Sequence, residues 1–179
     1  MSEKKMKVLG IVGSPRRGGN TEKLIDEVLR GAEETEALTE KVILNELKIS
    51  PCQACNACYK AKKCVQKDDM ADLVEKMQES SIWVLGTPVY WWGPTAQFKA
   101  FLDRWYGIDR EVFRGKKGVL VIPLGGSEPY ARHTVGILTD VLDYLRIEHV
   151  ATILAPGGVQ NRPEVLKKAY NAGQKSVER

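Results

Sequence analysis

Val8-Leu9-Gly10-Ile11-Val12 running into Gly13-Ser14-Pro15-Arg16-Arg17-Gly18-Gly19-Asn20-Thr21 decides the fold. A near-continuous apolar run is what a strand buried on both faces requires, whereas a strand with one wet face alternates. The glycine-rich stretch leads into a helical stripe of Leu24, Ile25, Val28, Leu29 and Ala32. Backbone amides and the positive end of a helix dipole therefore converge just after the first strand, which makes an anion site. Ser14, Asn20 and Thr21 add short side-chain donors, Arg16 or Arg17 adds charge, and the glycines permit close backbone approach. A phosphate monoester fits this set. The Walker pattern is absent, because Gly18 is followed by Gly19-Asn20 instead of Lys and Ser/Thr. The dinucleotide fingerprint is absent too, since two residues separate Gly10 from Gly13. The competing reading is an ordinary strand-to-helix loop in which Asn20 or Thr21 caps the helix.

Outward from this stretch the pattern repeats. Further strands are expected over Lys41 to Leu47, Ile82 to Gly86, Gly118 to Leu124 and His149 to Leu154, with the first over Lys7 to Gly13. Val135, Leu138, Val141, Leu142 and Leu145 form a second helical stripe, while Asp68-Asp69, Pro94-Thr95 and Pro163 mark three more helix starts. Asn171 to Arg179 reads as a fraying end. Five rounds of strand, loop and helix with right-handed crossovers make a doubly wound α/β sheet, whose ligands sit at the carboxyl ends of the strands. The loops after strands one, three and four are the places to look.

The 179 residues, 43% hydrophobic and 28% charged, fit one compact domain spanning 1–179. A net charge of +4 with Lys and Arg spread among acids speaks against a nucleic-acid partner. No apolar run approaches the roughly 18 residues of a membrane span, and the basic start, Met1 to Lys7, leads straight into a strand, so a cytoplasmic protein is expected. His133 and His149 lie far from the cysteines in sequence and are not nominated. No Ser-His-Asp set and no general acid or base stands out, so no catalytic residue is nominated. Asp68-Asp69 reads as an N-terminal cap and dipole partner.

The only cysteines, Cys52, Cys55, Cys58 and Cys64, lie in one loop over 50–65. A chain with a normal core needs no disulfide staples, so such clustering points to a metal, a cluster or redox chemistry. Three cysteines at intervals of three plus a fourth nearby can wrap one cubane. Zinc, a redox pair formed by Cys52 and Cys55, and a vestigial motif are the other readings.

Gly13 to Thr21 resembles the first FMN loop of the NADPH-dependent FMN reductase superfamily. Thr87-Pro88-Val89-Tyr90-Trp91-Trp92-Gly93-Pro94-Thr95-Ala96-Gln97-Phe98-Lys99 resembles its flavin-ring loop, and Pro123-Leu124-Gly125-Gly126-Ser127 its third. The cysteine spacing is similar to that of the iron-sulfur flavoprotein branch, which carries a 4Fe-4S cluster. The resemblance implies a three-layer flavodoxin-like fold with a five-stranded parallel sheet in the order 2-1-3-4-5. It implies FMN held at its phosphate by Ser14, Arg16, Asn20 and Thr21 and bordered at its ring by Pro88, Val89, Tyr90, Trp91, Gly93, Gly125 and Gly126. Alternatively, Tyr90, Trp91 and Trp92 simply cap the core. A cluster on Cys52, Cys55, Cys58 and Cys64 is implied, with a homodimer or homotetramer and a small-molecule electron acceptor. Ferredoxin or NAD(P)H is the implied electron source. The alternative is a cluster-free NAD(P)H-dependent FMN or quinone reductase; a pure electron carrier would be acidic, and this chain is mildly basic.

Overall fold

Side chains alternate across each buried strand, and that alternation sorts the core into two layers. The computed structural model describes residues 5–178. Strands β1 (Lys7–Val12), β2 (Leu38–Ile43), β3 (Ile82–Gly86), β4 (Lys117–Leu124) and β5 (Glu148–Pro156) form one parallel sheet in the order β2-β1-β3-β4-β5. Leu9, Ile11, Trp83, Leu85, Leu120 and Ile122 face one layer, built by α3 (Met70–Glu79), α4 (Ala96–Asp103) and α5 (Arg132–Tyr144). Val8, Val12, Ile82, Val84, Val119 and Val121 face the other, built by α1 (Asn20–Glu33) and α6 (Pro163–Val177). A short α2 (Ala57–Ala61) lies within the cysteine loop. This is the expected doubly wound α/β architecture, and no helix among the described residues is long and apolar enough to cross a membrane.

The second strand departs from expectation: it runs over Leu38–Ile43, and Leu44–Glu46 turns into a 3-10 helix. The apolar Val42, Ile43, Leu44 and Leu47 drew the sequence reading too far along the chain. An edge strand takes its length from its single neighbour, and β1 offers partners only from Lys7↔Leu38 to Val12↔Ile43. The polar Thr39, Glu40 and Lys41 suit that wet edge.

The carboxyl end of the chain also departs, since α6 continues to Val177 with Ala172, Gly173 and Ser176 buried. Its small residues lie where α6 crosses α1 backbone to backbone. A Cβ on Gly31 would stand 2.0 Å from the Tyr170 carbonyl oxygen, and one on Gly173 would stand 1.9 Å from that of Val28. Met1 to Lys4, at the start of the basic leader, and Arg179, at the end of the expected fraying segment, lie outside the described residues.

Gly173→Ala forces the two helices apart, and overpacking of this kind costs about 1–3 kcal/mol. The melting temperature, followed by circular dichroism, falls by roughly 3–10 °C.

Candidate functional site

Gly13 closes β1 by donating its amide to Gly86 O at 2.7 Å, while its own carbonyl accepts the Thr95 hydroxyl. Thr95 is also the N-cap of α4, accepting Phe98 N–H, and its amide donates to the Thr87 hydroxyl at 3.1 Å. The loops after β1 and β3 are thereby one hydrogen-bonded unit. Helix α1 opens at Asn20 with Gly19 as N-cap and no side-chain cap, so neither Asn20 nor Thr21 is the cap. Gly18 N–H is taken by Glu22 at 2.7 Å, and the first intrahelical bond comes from Lys23 N–H to Gly19 O at 3.0 Å. The amides of residues 19 to 22 find no protein acceptor among the described residues. Four aligned free donors at a helix start are an anion site.

Ser14 is buried, and its hydroxyl accepts Arg16 N–H at 3.2 Å while keeping its own proton to donate. Thr21 is buried with its methyl toward Gly86, and Arg16 and Asn20 are exposed at the mouth. Asn20 leans on the loop after β5. Gly158, at φ +85°, leaves its carboxamide so little room that an added Cβ would come within 2.4 Å of Nδ2. Arg17 turns away toward Glu22 and Glu46 at 3.4 Å each, which leaves Arg16 as the free charge at the mouth.

Glu22 was not legible as a functional residue. Its side chain is 8% exposed and gathers the Gly18 amide, Arg17 and, at 2.9 Å, Lys41, which also pairs with Asp26 at 2.7 Å. Burial alone would raise its pKa. The bonds from Lys41 and Gly18, with the charges of Lys41 and Arg17, outweigh that and hold it below the ordinary carboxylate value. A signal did exist: Gly18-x3-Glu22 places the acid one turn into the helix, where it reaches back to a loop amide.

After β3, Tyr90 and Gly93 exchange backbone hydrogen bonds at 2.8 and 3.0 Å across a two-residue turn. Trp91 and Trp92 fill that turn at φ +49° and +61°, a type I′ geometry that Asn and Gly ordinarily take. Bulky residues in left-handed backbone store strain of order 1–3 kcal/mol each, and such strain collects at ligand sites. Trp91 is 91% exposed, so it does not cap the core; Tyr90 and Trp92 are exposed as well. A cleft of about 310 Å³ brings together Val89, Trp91, Gly125 and Gly126 of the expected ring loop, joined by Trp92, Leu124 and Tyr130. Pro88, Tyr90 and Gly93 do not line it. Tyr130 was missed by sequence; its ring lies edge-on to Trp92 at 6.2 Å and against Gly126.

The four cysteines are free and line a single cavity of about 280 Å³. Among the described residues no group of three or more His, Cys, Asp or Glu could hold a metal ion as it stands. What the thiols share is a space. Ala54 N–H points to Cys52 Sγ at 3.5 Å, and Ala54, Asn56 and Lys62 all adopt positive φ, wrapping the loop tightly around α2. Asp68 and Asp69, expected as a cap and dipole partner, do more than that. Asp69 makes no cap bond and accepts Lys48 N–H, whereas Asp68 accepts the amides of Ser50 and Met70 and forks onto Arg104 at 2.6 and 3.0 Å. Together they pin the base of the cysteine loop. The Arg104 hydrogen bond, against the opposing effect of burial, holds Asp68 below the ordinary carboxylate range.

Residues 6–157 match the family model described as NADPH-dependent FMN reductase. An iron-sulfur flavoprotein of Archaeoglobus fulgidus is 36% identical over 178 residues, covering 97% of this chain and 80% of its own. One of Methanosarcina thermophila is 39% identical over 123 residues, covering 68% of this chain and 64% of its own. An NAD(P)H:quinone oxidoreductase from Methanothermobacter marburgensis superposes with a TM-score of 0.77 over 98% of both chains at 17% identity, a likeness of fold alone.

Glu22 contributes stability that is present above the ordinary carboxylate pKa and lost as pH falls through its depressed folded value. Glu22→Gln therefore melts roughly 3–6 °C lower than wild type at pH 7, for a loss of about 1–2 kcal/mol. Thermal scans across the acid range show that gap closing as the wild-type carboxylate protonates.

Proposed function

The chain belongs to the NADPH-dependent FMN reductase family, in its iron-sulfur flavoprotein branch, and on that basis we propose that it moves electrons between FMN, a 4Fe-4S cluster and a small acceptor. The family is one of flavin-dependent oxidoreductases. FMN supplies chemistry in one or two electrons and a cluster supplies it in single electrons. The residues fit both groups. The unpartnered amides of residues 19 to 22 lie with buried Ser14 and exposed Arg16, a donor set for a phosphate dianion. Ser14, Arg16, Asn20 and Thr21 would hold that phosphate, and Val89, Trp91, Gly125 and Gly126, which line the cleft, would border the ring. Tyr130 is the sole titratable side chain on the cleft wall, so the protein's part is to bind, orient and exclude water.

The observation that carries the cluster is that four free thiols line one cavity, with a backbone N–H on a sulfur and a buried arginine among the lining residues. Cys52, Cys55, Cys58 and Cys64 would be its ligands. The clustering of all four cysteines in one loop, in a chain whose core needs no disulfide staples, supports a cytoplasmic location. Electrons enter from NAD(P)H or ferredoxin, and a homo-oligomer brings the exposed cysteine loop toward a flavin of another subunit.

Protein purified anaerobically is expected to show flavin bands with a broad cluster shoulder and about four irons per chain. A yellow, iron-free anaerobic preparation overturns the cluster and leaves a cluster-free NAD(P)H-dependent FMN or quinone reductase. Cys58→Ala is expected to lose its iron and keep stoichiometric FMN, because the thiol cavity and the flavin cleft share no lining residue.

A further inference from the structure

Arg104 follows α4 at the head of a 3-10 turn, and its side chain is 1% exposed. A buried guanidinium is tolerated only when its donors are placed. Nη1 donates to Ser50 O at 2.8 Å and Asp68 Oδ2 at 2.6 Å, and Nη2 donates to Asp68 Oδ1 at 3.0 Å. Nε is buried and has no hydrogen-bond partner among the described residues, and Arg104 lines the cavity that holds Cys64. The other charged group on the wall, Asp103, is already paired with Lys99 at 2.6 Å. Cys64 cannot drift away, because Gly107 presses on it so closely that an added Cβ would stand 2.8 Å from Cys64 Cβ.

Resting on the proposed cluster, we infer that Arg104 is the residue that sets its potential: Nε–H donates to the Cys64 sulfur, and the guanidinium offsets the negative charge gained when the cluster takes up one electron. Hydrogen bonds to cluster sulfurs and nearby charge are the levers that move such potentials. Asp68 fixes the fork and moderates its charge, so the two residues pull in opposite directions. A scaffold for the loop would have needed only the Nη contacts to Ser50 and Asp68. The orphaned Nε of a residue on the thiol cavity's wall is what scaffolding does not explain.

The test is an anaerobic reductive titration with a low-potential chemical donor, following the cluster by electron paramagnetic resonance in wild type, Arg104→Lys and Asp68→Asn. Arg104→Lys keeps a charge but loses Nε–H and the fork. Its cluster is expected to be harder to reduce by about tenfold, or about 59 mV for a one-electron couple. Asp68→Asn keeps the shape, removes the opposing charge and makes the cluster easier to reduce. Opposite shifts at unchanged iron content and circular dichroism support the inference; unmoved potentials, or shifts of the same sign, overturn it. If Arg104→Lys loses its iron, Asp68→Asn decides alone: an upward shift supports the role, and any other result overturns it. Loss of iron from both variants marks the pair as scaffold and overturns it as well. Wild type without iron overturns the cluster reading and the inference together, whereas a wild-type cluster with invariant potentials overturns the inference only.

Discussion

Everything at the carboxyl end of the sheet depends on how closely α1 sits on β1 and β3. A Cβ on Gly10 would stand 2.6 Å from Ile25, and one on Gly86 would stand 2.5 Å from Ile25 and 2.9 Å from the Thr21 methyl. With no side chain at either position, the first turn of the helix settles directly over the strand ends. The Gly13 to Gly86 hydrogen bond and the Thr95 hydroxyl on Gly13 O then lock the two neighbouring loops to that turn. Burial drives the seating and the backbone geometry does the rest: with no side-chain cap, the amides of residues 19 to 22 stay without a protein acceptor among the described residues.

The central strands were legible because both of their faces are covered, and that condition leaves an unbroken apolar signature in Val8 to Val12 and in Val119 to Ile122. Strand β2 was legible in existence and not in extent, since its limits are written in the hydrogen-bonding groups of β1. The end of α6 was misread for a related reason: Gly173 looks like a helix breaker alone and is a contact surface once α1 lies across it. Local sequence carries propensity, and long-range contact overrides it.

The site shows the same division. The loop residues from Ser14 to Thr21 could be named from their donors, and Glu22 had a signal in its spacing from Gly18, whereas Tyr130 and Gly158 meet Trp92 and Asn20 from far along the chain. Asp68 and Arg104 are 36 residues apart, so their fork could not be read from spacing. The aromatic turn is the reverse case: Tyr90-Trp91-Trp92-Gly93 was conspicuous, but the left-handed backbone that lifts Trp91 into solvent is a property of the folded hairpin. The aromatic cleft and the thiol cavity are separate spaces with no lining residue in common, which suits the proposed assignment of a flavin to one and a cluster to the other.

The central claim is that free amides at the start of α1 recognise a mononucleotide's terminal dianion. Parallel fluorescence titrations of flavin-free protein with FMN and with riboflavin test it most directly, because the ligands share a ring and differ only in the phosphate. The account predicts saturation by FMN near one per chain and binding of riboflavin weaker by at least about a hundredfold, the size of two lost charge-assisted hydrogen bonds. Equal affinity for both flavins, or no binding of either, contradicts it.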